Sequence, residues 1–454
     1  NSGGGSYPRY DIFQHRWLRA AFCSPLLRWP LKLFSVFLLG LVIATGLIGD
    51  QSSSLNFAPT FVWIIWWVGM AFFVSLIGNL WVLVNPWKAM FELGETAVRM
   101  VRPGRSLSFA LPYPQAWGIW PAIILFLGFI WIQDAFPQSA MPNRGAFLAI
   151  GYTAVALAGM VLYGKHQWLR NGEVFSVIFA FLAKFAPTEV SVRDLASCQV
   201  CPGQCQHQGG DCINCYECFE LASDKEWNIR PFAMGLSVNE HMTNDKLAIV
   251  VLLLATVTFD GFSATPAWVR FQSFIVESFS GSVNYQAFNS VTIADSLGVF
   301  FFPVGFFLLF MAFTNLVSRS VGRTLGALPI ARTFAYSLLP IALAYNIAHF
   351  ITLLLIQGQL VAPLASDPFG FGWNLLGTAD YKIQIGIINA WFLWYLSIGL
   401  IVAGHILAVY LSHLVSIRNF ESRARALNSQ YPMLALMVIY TVVSLWIIAQ
   451  PIVA

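Results

Sequence analysis

Nine long apolar stretches constrain the fold of this chain more than any other feature of its sequence. They lie at about residues 33–49, 60–85, 117–136, 145–164, 247–265, 296–317, 333–356, 383–412 and 432–451. A helix needs about 20 apolar residues to cross the hydrocarbon core of a bilayer. Only 10% of the residues are charged, against roughly a quarter in soluble proteins. The sequence therefore predicts an all-α integral membrane protein with about nine transmembrane helices.

Lysine and arginine residues are distributed unevenly between the two sides of these stretches. Arg144, Arg270 and Lys382 fall on one side, and the other 22 of the 25 basic residues fall on the opposite side. Segments with an excess of basic residues stay in the cytoplasm during membrane insertion. The distribution predicts a cytoplasmic N-terminus, an outward C-terminus and a cytoplasmic loop between the fourth and fifth spans.

These predictions divide the chain into four parts. A cytoplasmic N-terminal arm (1–32) precedes a first membrane bundle (33–189) of four spans. A cytoplasmic cysteine-rich loop (190–245) connects it to a second bundle (246–454) of five spans with outward loops. The apolar stretch 174–187 is too short to span and is expected to be an interfacial or re-entrant helix. The first stretch has no small-residue cleavage site after it and is expected to be a true span.

Six of the seven cysteines fall in the sequence CQVCPGQCQHQGGDCINCYEC, within the predicted cytoplasmic loop. They are Cys198, Cys201, Cys205, Cys212, Cys215 and Cys218. Cytoplasmic thiols are kept reduced, which disfavours a disulfide framework, and thiolates held close together need a cation to neutralise them. The cysteines therefore predict a metal site, with disulfides or unliganded thiols as the alternatives.

Two metals fit the cysteine spacing. The first, second, fourth and fifth of the six form a C-x2-C-x10-C-x2-C frame that suits tetrahedral zinc, with His207 as a spare ligand. The last three, Cys212, Cys215 and Cys218, form the C-x2-C-x2-C core of a bacterial iron–sulfur run. That run expects a further cysteine at position 222, where this chain has alanine. The fourth ligand would then come from residues 198–205. We favour an iron–sulfur cluster over zinc.

Ionisable side chains inside membrane spans are costly and are functional candidates by default, and three of those in the predicted spans share one depth. Asp260, His349 and His405 lie on the fifth, seventh and eighth spans at a predicted depth of about 10 Å below the outer surface, at a rise of 1.5 Å per residue. Such a set suits a transition metal, and two facing histidines suit haem. Alternatively, a backbone carbonyl, Tyr345, Asn346 or water satisfies each side chain separately.

The segments around these three residues resemble a family of bacterial polytopic membrane proteins that is sometimes labelled fenitrothion hydrolase. The resemblance rests on TFDGFSATPAW (258–268), AYNIAHFITLLLIQGQ (344–359), SDPFGFGWNLLGTADY (366–381) and VAGHILAVYLSH (402–413), and it extends to GNLWVLVNPW (78–87). The label implies cleavage of organophosphate triesters by a metal-activated water, which Asp260, His349 and His405 would bind. The resemblance also implies a multi-pass location in the bacterial inner (plasma) membrane.

The first hypothesis for the function is a membrane subunit of a redox complex of the respiratory type. A cytoplasmic iron–sulfur cluster would exchange electrons with a metal, haem or quinone in the outer half of the membrane. This hypothesis accounts for both the cysteine-rich loop and the ionisable residues inside the spans. It also fits a chain without a nucleotide-binding loop, nucleophile elbow or HExxH helix. The expected partners are the lipid bilayer and other protein subunits or an electron-transfer partner. Nucleic acid is not expected, because basic clusters at the inner surface orient spans and contact anionic lipid.

Two other functions remain open. A metal-dependent membrane enzyme, either a hydrolase or an oxygenase, would act at Asp260, His349 and His405, and its cysteine loop would then hold structural zinc or disulfides. A transporter ranks third, because the inverted repeats and broken helices typical of transporters are not clear in the sequence. Whether the chain is itself an enzyme is left open.

Overall fold

The computed structural model describes residues 7–193, 212–237, 242–279, 290–323, 325–420 and 422–450. Within these ranges, nine helical segments are long and apolar enough to cross a membrane. We number them as spans one to nine: Pro25–Ile48, Phe57–Leu76, Gln115–Asp134, Pro142–Tyr163, Asn244–Ser263, Val291–Ser320, Ala327–Ser366, Ala390–Asn419 and Arg423–Ala449. The prediction of a helical, multi-pass membrane protein is confirmed, and the orientation of the spans stays a prediction.

Large apolar side chains are exposed along the spans, as expected of helices that face lipid. Ile124 is 68% exposed, Phe301 65% and Trp391 70%. Monomeric soluble proteins rarely expose large contiguous apolar patches, and lipid removes the cost of doing so. The fifth span differs from the rest, because 67% of its most apolar window is buried against 17% for the first span.

The spans are not uniform α-helices. The second span has a π-helical middle, Thr60–Val68. The third consists of a 3-10 turn, Gln115–Trp117, and the helix Trp120–Asp134. The seventh contains the helices Ala327–Phe334, Leu339–Ile356 and Val361–Ser366, with the 3-10 turns Ala335–Leu338 and Gln357–Leu360 between them.

The chain forms two compact units that are interleaved in the sequence. The first unit comprises Asn1–Ala122, Ala140–Glu240 and Ile356–Ile383, and the second comprises Ile123–Ser139, His241–Leu355 and Gln384–Ala454. The third and seventh spans each begin in one unit and end in the other.

Shorter helices complete both units. The first unit contains Arg16–Cys23, Trp81–Val84, Pro86–Val101, Lys165–Asn171, Val174–Ala183 and Tyr216–Leu221, and the second contains Pro266–Phe279. Helix Val174–Ala183 falls in the apolar stretch that is too short to span, and most of its side chains are buried.

Glu173 begins helix Val174–Ala183 and is fully buried. Its carboxylate accepts hydrogen bonds from the backbone N–H groups of Phe175 and Ser176, at 3.1 and 2.8 Å. It also accepts one from the Tyr152 hydroxyl at 2.5 Å and one from the Asn85 amide at 3.2 Å. A buried carboxylate is tolerated only when donors surround it in this way.

A small antiparallel sheet, which was not predicted from the sequence, lies in the first unit. Its strands are β1 (Tyr10–Asp11), β2 (Thr188–Val192), β3 (Cys212–Ile213) and β4 (Lys225–Ile229), in the order β1-β4-β2-β3. In the register of β2 and β3, Val192 lies opposite Cys212 and Ser191 opposite Ile213. The sheet therefore fixes the position of the first cysteine of the C-x2-C-x2-C core.

A fully buried ion pair lies beside this sheet. Arg230 and Glu189 form a salt bridge in which neither side chain is exposed to solvent. Arg230 also donates hydrogen bonds to the carbonyl oxygens of Ala183 and Ala186, each at 3.1 Å. Glu189 accepts a hydrogen bond from the Tyr7 hydroxyl at 2.9 Å. The pair therefore links the N-terminal arm, the end of the short buried helix and the sheet.

Removal of Arg230 is expected to destabilise the first unit strongly. The substitution Arg230→Met leaves Glu189 buried with Arg9, 2.7 Å away, as its remaining counter-charge. Breaking a buried pair costs about 3–5 kcal/mol, and the Arg9 contact should keep the loss near the lower end of that range. Thermal unfolding of the detergent-solubilised protein measures the effect. The control is Arg193→Met, because Arg193 pairs with Glu226 at 2.6 Å but its side chain is 61% exposed. Exposed pairs contribute about 0–1 kcal/mol, so equal losses in the two variants would contradict the role given to Arg230.

Candidate metal centre and polar residues of the membrane spans

The C-x2-C-x2-C core folds as a strand, a turn and a helix. Cys212 lies in β3, and Asn214 turns the chain with a positive φ of 54°. Asparagine tolerates this left-handed conformation better than most residues. Its backbone N–H and side-chain oxygen both bond to Val190 of β2. Cys215 is the N-cap of helix Tyr216–Leu221, and Cys218 follows one turn later on the same side.

The three sulfur atoms converge in the interior of the first unit. They all lie within 4.8 Å of one another, and Cys212, Cys215 and Cys218 are 1%, 8% and 0% exposed. No disulfide joins these thiols. A tetrahedral ion with bonds of 2.3 Å to sulfur places its thiolates about 3.8 Å apart, so the three thiols are close enough together that they could hold one metal ion. The other predicted ligands, Cys198, Cys201 and Cys205, lie outside the described residues.

Positive charge and hydrogen bonds favour a thiolate at this site. The Arg170 guanidinium lies 3.3 Å from Cys215 Sγ. The hydrogen bond from the Cys212 thiol, with the Cys218 N–H and Arg170, lowers the pKa of Cys215 to about 4 against the opposing effect of burial. Because metals bind the thiolate and not the thiol, the protein favours the metal-binding form of Cys215.

A band of ionic groups surrounds the cysteines. Arg170 and the Nδ1 atom of His166 lie 3.6 and 3.7 Å from Glu217 Oε2. Burial lowers the pKa of His166 to about 4, with help from the nearby Lys165 charge, so its imidazole is neutral at pH 7. Lys88 forms an ion pair with Glu220 on the same short helix as Cys218. Burial raises the pKa of Glu220, but the Lys88 charge outweighs this effect and the net shift is downward.

A cavity of about 160 Å³ opens beside Cys215. Its lining includes Lys88, His166, Arg170, Cys215, Glu217 and Glu220. A water molecule occupies about 30 Å³ in the liquid, so the cavity has room for several waters or a small polar molecule next to one sulfur atom.

The structure brings two of the three predicted membrane ligands together. In the second unit, His349 Nε2 lies 2.7 Å from Asp260 Oδ2, which is a short hydrogen bond. Among the described residues, no group of three His, Asp, Glu or Cys ligand atoms other than the cysteine group meets within 4.8 Å. Asp260, His349 and His405 therefore do not form a closed three-ligand set.

His405 is buried at 6% exposure and makes a bond of its own. Its Nδ1 atom lies 2.8 Å from the carbonyl oxygen of Ile401. A carbonyl only accepts, so Nδ1 carries the proton, and Nε2 is left without a hydrogen-bond partner within the described part of the chain. The alternative that a backbone carbonyl satisfies each side chain separately therefore holds for the Nδ1 atom of His405.

Two residues at the cysteine site were not predicted from the sequence. Arg170 and His166 lie beside the cysteines or their neighbour Glu217, although their local sequence does not single them out.

The nine apolar helices found in the described ranges and the cysteine group place this chain in a general class. It is a multi-pass membrane protein with a buried group of thiols that could hold a metal ion. Comparison of the chain with protein-family models, curated proteins and solved structures gives no match. The resemblance to the family labelled fenitrothion hydrolase therefore stays a prediction.

The lowered pKa of Cys215 predicts how this thiol reacts once any metal is removed. A thiolate with a pKa of about 4 is fully formed above pH 5, whereas a free cysteine with a pKa of about 8.5 gains thiolate only as the pH approaches that value. Iodoacetamide should therefore modify Cys215 at a rate that is nearly constant between pH 5.5 and 8 and falls as the pH drops toward 4. Mass spectrometry of the chelator-treated protein measures this rate. A rate that rises about tenfold per pH unit across the range would show an ordinary thiol.

Proposed function

We propose that this protein is an integral membrane redox protein whose first unit holds a redox-active iron centre. The observation that carries the proposal is the convergence of three buried sulfur atoms, those of Cys212, Cys215 and Cys218, within 4.8 Å of one another. The centre would exchange electrons with a partner protein on the cytoplasmic side, the side that the distribution of basic residues predicts for this segment.

The identity of the converging cysteines supports iron over zinc. The zinc frame uses Cys212 and Cys215 with two cysteines of residues 198–201 and leaves Cys218 unused. The iron–sulfur frame uses Cys212, Cys215 and Cys218, and Cys218 is the most deeply buried of the three, at 0% exposure. The fourth ligand would come from Cys198, Cys201 or Cys205.

The surroundings of the sulfur atoms suit an electron-transfer centre. Hydrogen bonds to ligating sulfur and nearby charge set the reduction potential of a thiolate-bound iron centre, and the Arg170 guanidinium, 3.3 Å from Cys215 Sγ, supplies both. When bound, the iron would supply one-electron chemistry. The chain would supply the thiolates, the counter-charge of Arg170 and a buried site that limits access of water.

The proposal predicts iron that depends on Cys218. Protein purified anaerobically without chelators should contain roughly one iron for a single ion or roughly four for a cubane cluster, with visible absorbance that dithionite bleaches. Cys218→Ser should lose most of the iron and the absorbance. Metal analysis and spectroscopy on the intact protein in detergent measure both.

The matched control is Cys23→Ser. Cys23 is the last residue of helix Arg16–Cys23 and is not a member of the cysteine group, so its substitution should not affect the iron content. Zinc without colour in the wild-type protein would contradict the redox proposal and favour a structural role for the cysteines. Equal iron in the wild type and in Cys218→Ser would remove Cys218 as a ligand and contradict the iron–sulfur frame, which requires it.

A further inference from the structure

A hydrogen-bonded aspartate–histidine pair lies inside two spans of the second unit and has no part in the proposed function. Asp260 lies on helix Asn244–Ser263 of the fifth span, and His349 lies on helix Leu339–Ile356 of the seventh. His349 Nε2 is 2.7 Å from Asp260 Oδ2. The side chains of His349 and Asp260 are 26% and 21% exposed, so a molecule at the surface of the unit can reach both of them.

The bond to Asp260 decides which nitrogen of the imidazole is available to another molecule. An ionised carboxylate only accepts hydrogen bonds, so Nε2 carries the proton and is the donor. In the neutral imidazole Nδ1 then carries no proton and is an acceptor. No other hydrogen bond of His349 is found within the described ranges. The pair therefore presents one oriented acceptor that a donor group of a ligand can meet.

Aromatic side chains hold the imidazole ring in place. The Tyr345 ring stacks on it, with centroids 6.0 Å apart and an angle of 11° between the planes. The Phe350 ring meets it edge-on, with centroids 4.7 Å apart. Tyr345 is 1% exposed, and its hydroxyl group occupies the space that a Cβ atom at Gly261 would need. The packing of the fifth and seventh spans thus fixes the orientation of the His349 ring.

The surface around the pair is apolar and aromatic. Phe262 packs in one cluster with Tyr345 and Phe350, and its ring centroid lies 6.2 Å from that of Trp446. Trp446 is 44% exposed, so this aromatic surface is continuous with side chains that face lipid. Hydrocarbon offers no hydrogen bond to the exposed part of an imidazole or a carboxylate, which makes such groups costly within spans. A membrane-soluble molecule with a polar group would remove this cost.

The ligand must combine a hydrogen-bond donor with an apolar body. A hydroxyl group on an aromatic ring meets both needs, because the O–H donates to Nδ1 and the ring packs edge-to-face against Phe262 and Phe350. Water would meet the acceptor but would leave the aromatic surface uncovered. Among membrane-soluble compounds, hydroquinones carry such hydroxyl groups and also exchange electrons. An electron-transfer centre needs a donor besides the protein partner proposed above, and a hydroquinone can be that donor.

We propose that the Asp260–His349 pair binds the hydroxyl group of a membrane-soluble hydroquinone, which donates a hydrogen bond to His349 Nδ1. Asp260 orients the imidazole, and Phe262 and Phe350 cover the ring of the ligand. Binding breaks no covalent bond. The role of the bound hydroquinone as an electron donor rests on the proposed function, whereas binding itself needs only residues of the second unit.

Binding of tetramethylhydroquinone to the full-length protein in lipid nanodiscs tests the proposal. Anaerobic equilibrium dialysis measures it, after subtraction of the amount that dissolves in empty nanodiscs, and saturable binding is expected. The dimethyl ether of this compound has the same ring but no O–H donor. It should bind about tenfold more weakly, because the hydrogen bond to Nδ1 is lost. Absence of saturable binding, or equal affinity for the two compounds, would overturn the proposal.

A substitution tests whether His349 is the acceptor. His349→Phe keeps an aromatic ring and removes Nδ1, so the affinity for tetramethylhydroquinone should fall about tenfold. The matched control is His413→Phe on the eighth span, because His413 Nδ1 already lies 2.9 Å from Gln430 Oε1, and this variant should bind as the wild type does. Unchanged affinity in His349→Phe would contradict the assignment. The comparison of the two compounds on the wild-type protein decides the matter even if this variant does not fold.

The variant Cys218→Ser separates this proposal from the iron proposal. It should lose most of the iron and still bind tetramethylhydroquinone with wild-type affinity. A wild-type protein that holds iron but does not bind the hydroquinone would refute only the assignment of the Asp260–His349 pair. A wild-type protein that binds the hydroquinone but holds no iron would refute only the proposed function.

Discussion

A charged group that leaves water must meet an opposite charge or a set of donors and acceptors, and this constraint governs the interior of both units. In the first unit, Glu173 is surrounded by N–H and O–H donors, and Glu189 is paired with Arg230. In the second unit, Asp260 is bonded to His349. The apolar spans supply the bulk of the structure, but these few polar contacts determine which helix ends and strands lie together.

The sequence predicted the nine spans well, because about 20 consecutive apolar residues have few alternatives to a membrane helix. Boundaries were less predictable. The second span was expected to end near residue 85 but ends at Leu76, because the residues that follow are also apolar and hydropathy alone does not show the break. The four-stranded sheet was missed, since β1 and β3 have two residues each and such short strands leave no periodic pattern.

The two candidate sites show different limits of prediction from sequence. Cysteines at a spacing of two residues reach one point through a single turn, so local chemistry was enough to predict that Cys212, Cys215 and Cys218 converge. The pairing of Asp260 with His349 depends on the rotation of two separate helices, which depth along the membrane does not determine. For the same reason the sequence left open whether His405 lies with these two residues, and among the described residues the three do not meet as one group of metal ligands.

The interleaving of the two units has a consequence for biosynthesis. A chain is made from its N-terminus and its domains generally fold as they emerge, but here the first unit needs residues up to Ile383 and the second already begins at Ile123. Neither unit has all of its residues until most of the polypeptide has been inserted. The first and fourth spans pack against each other and can do so early, but Ile356–Ile383 completes the first unit only after the first seven spans have been made.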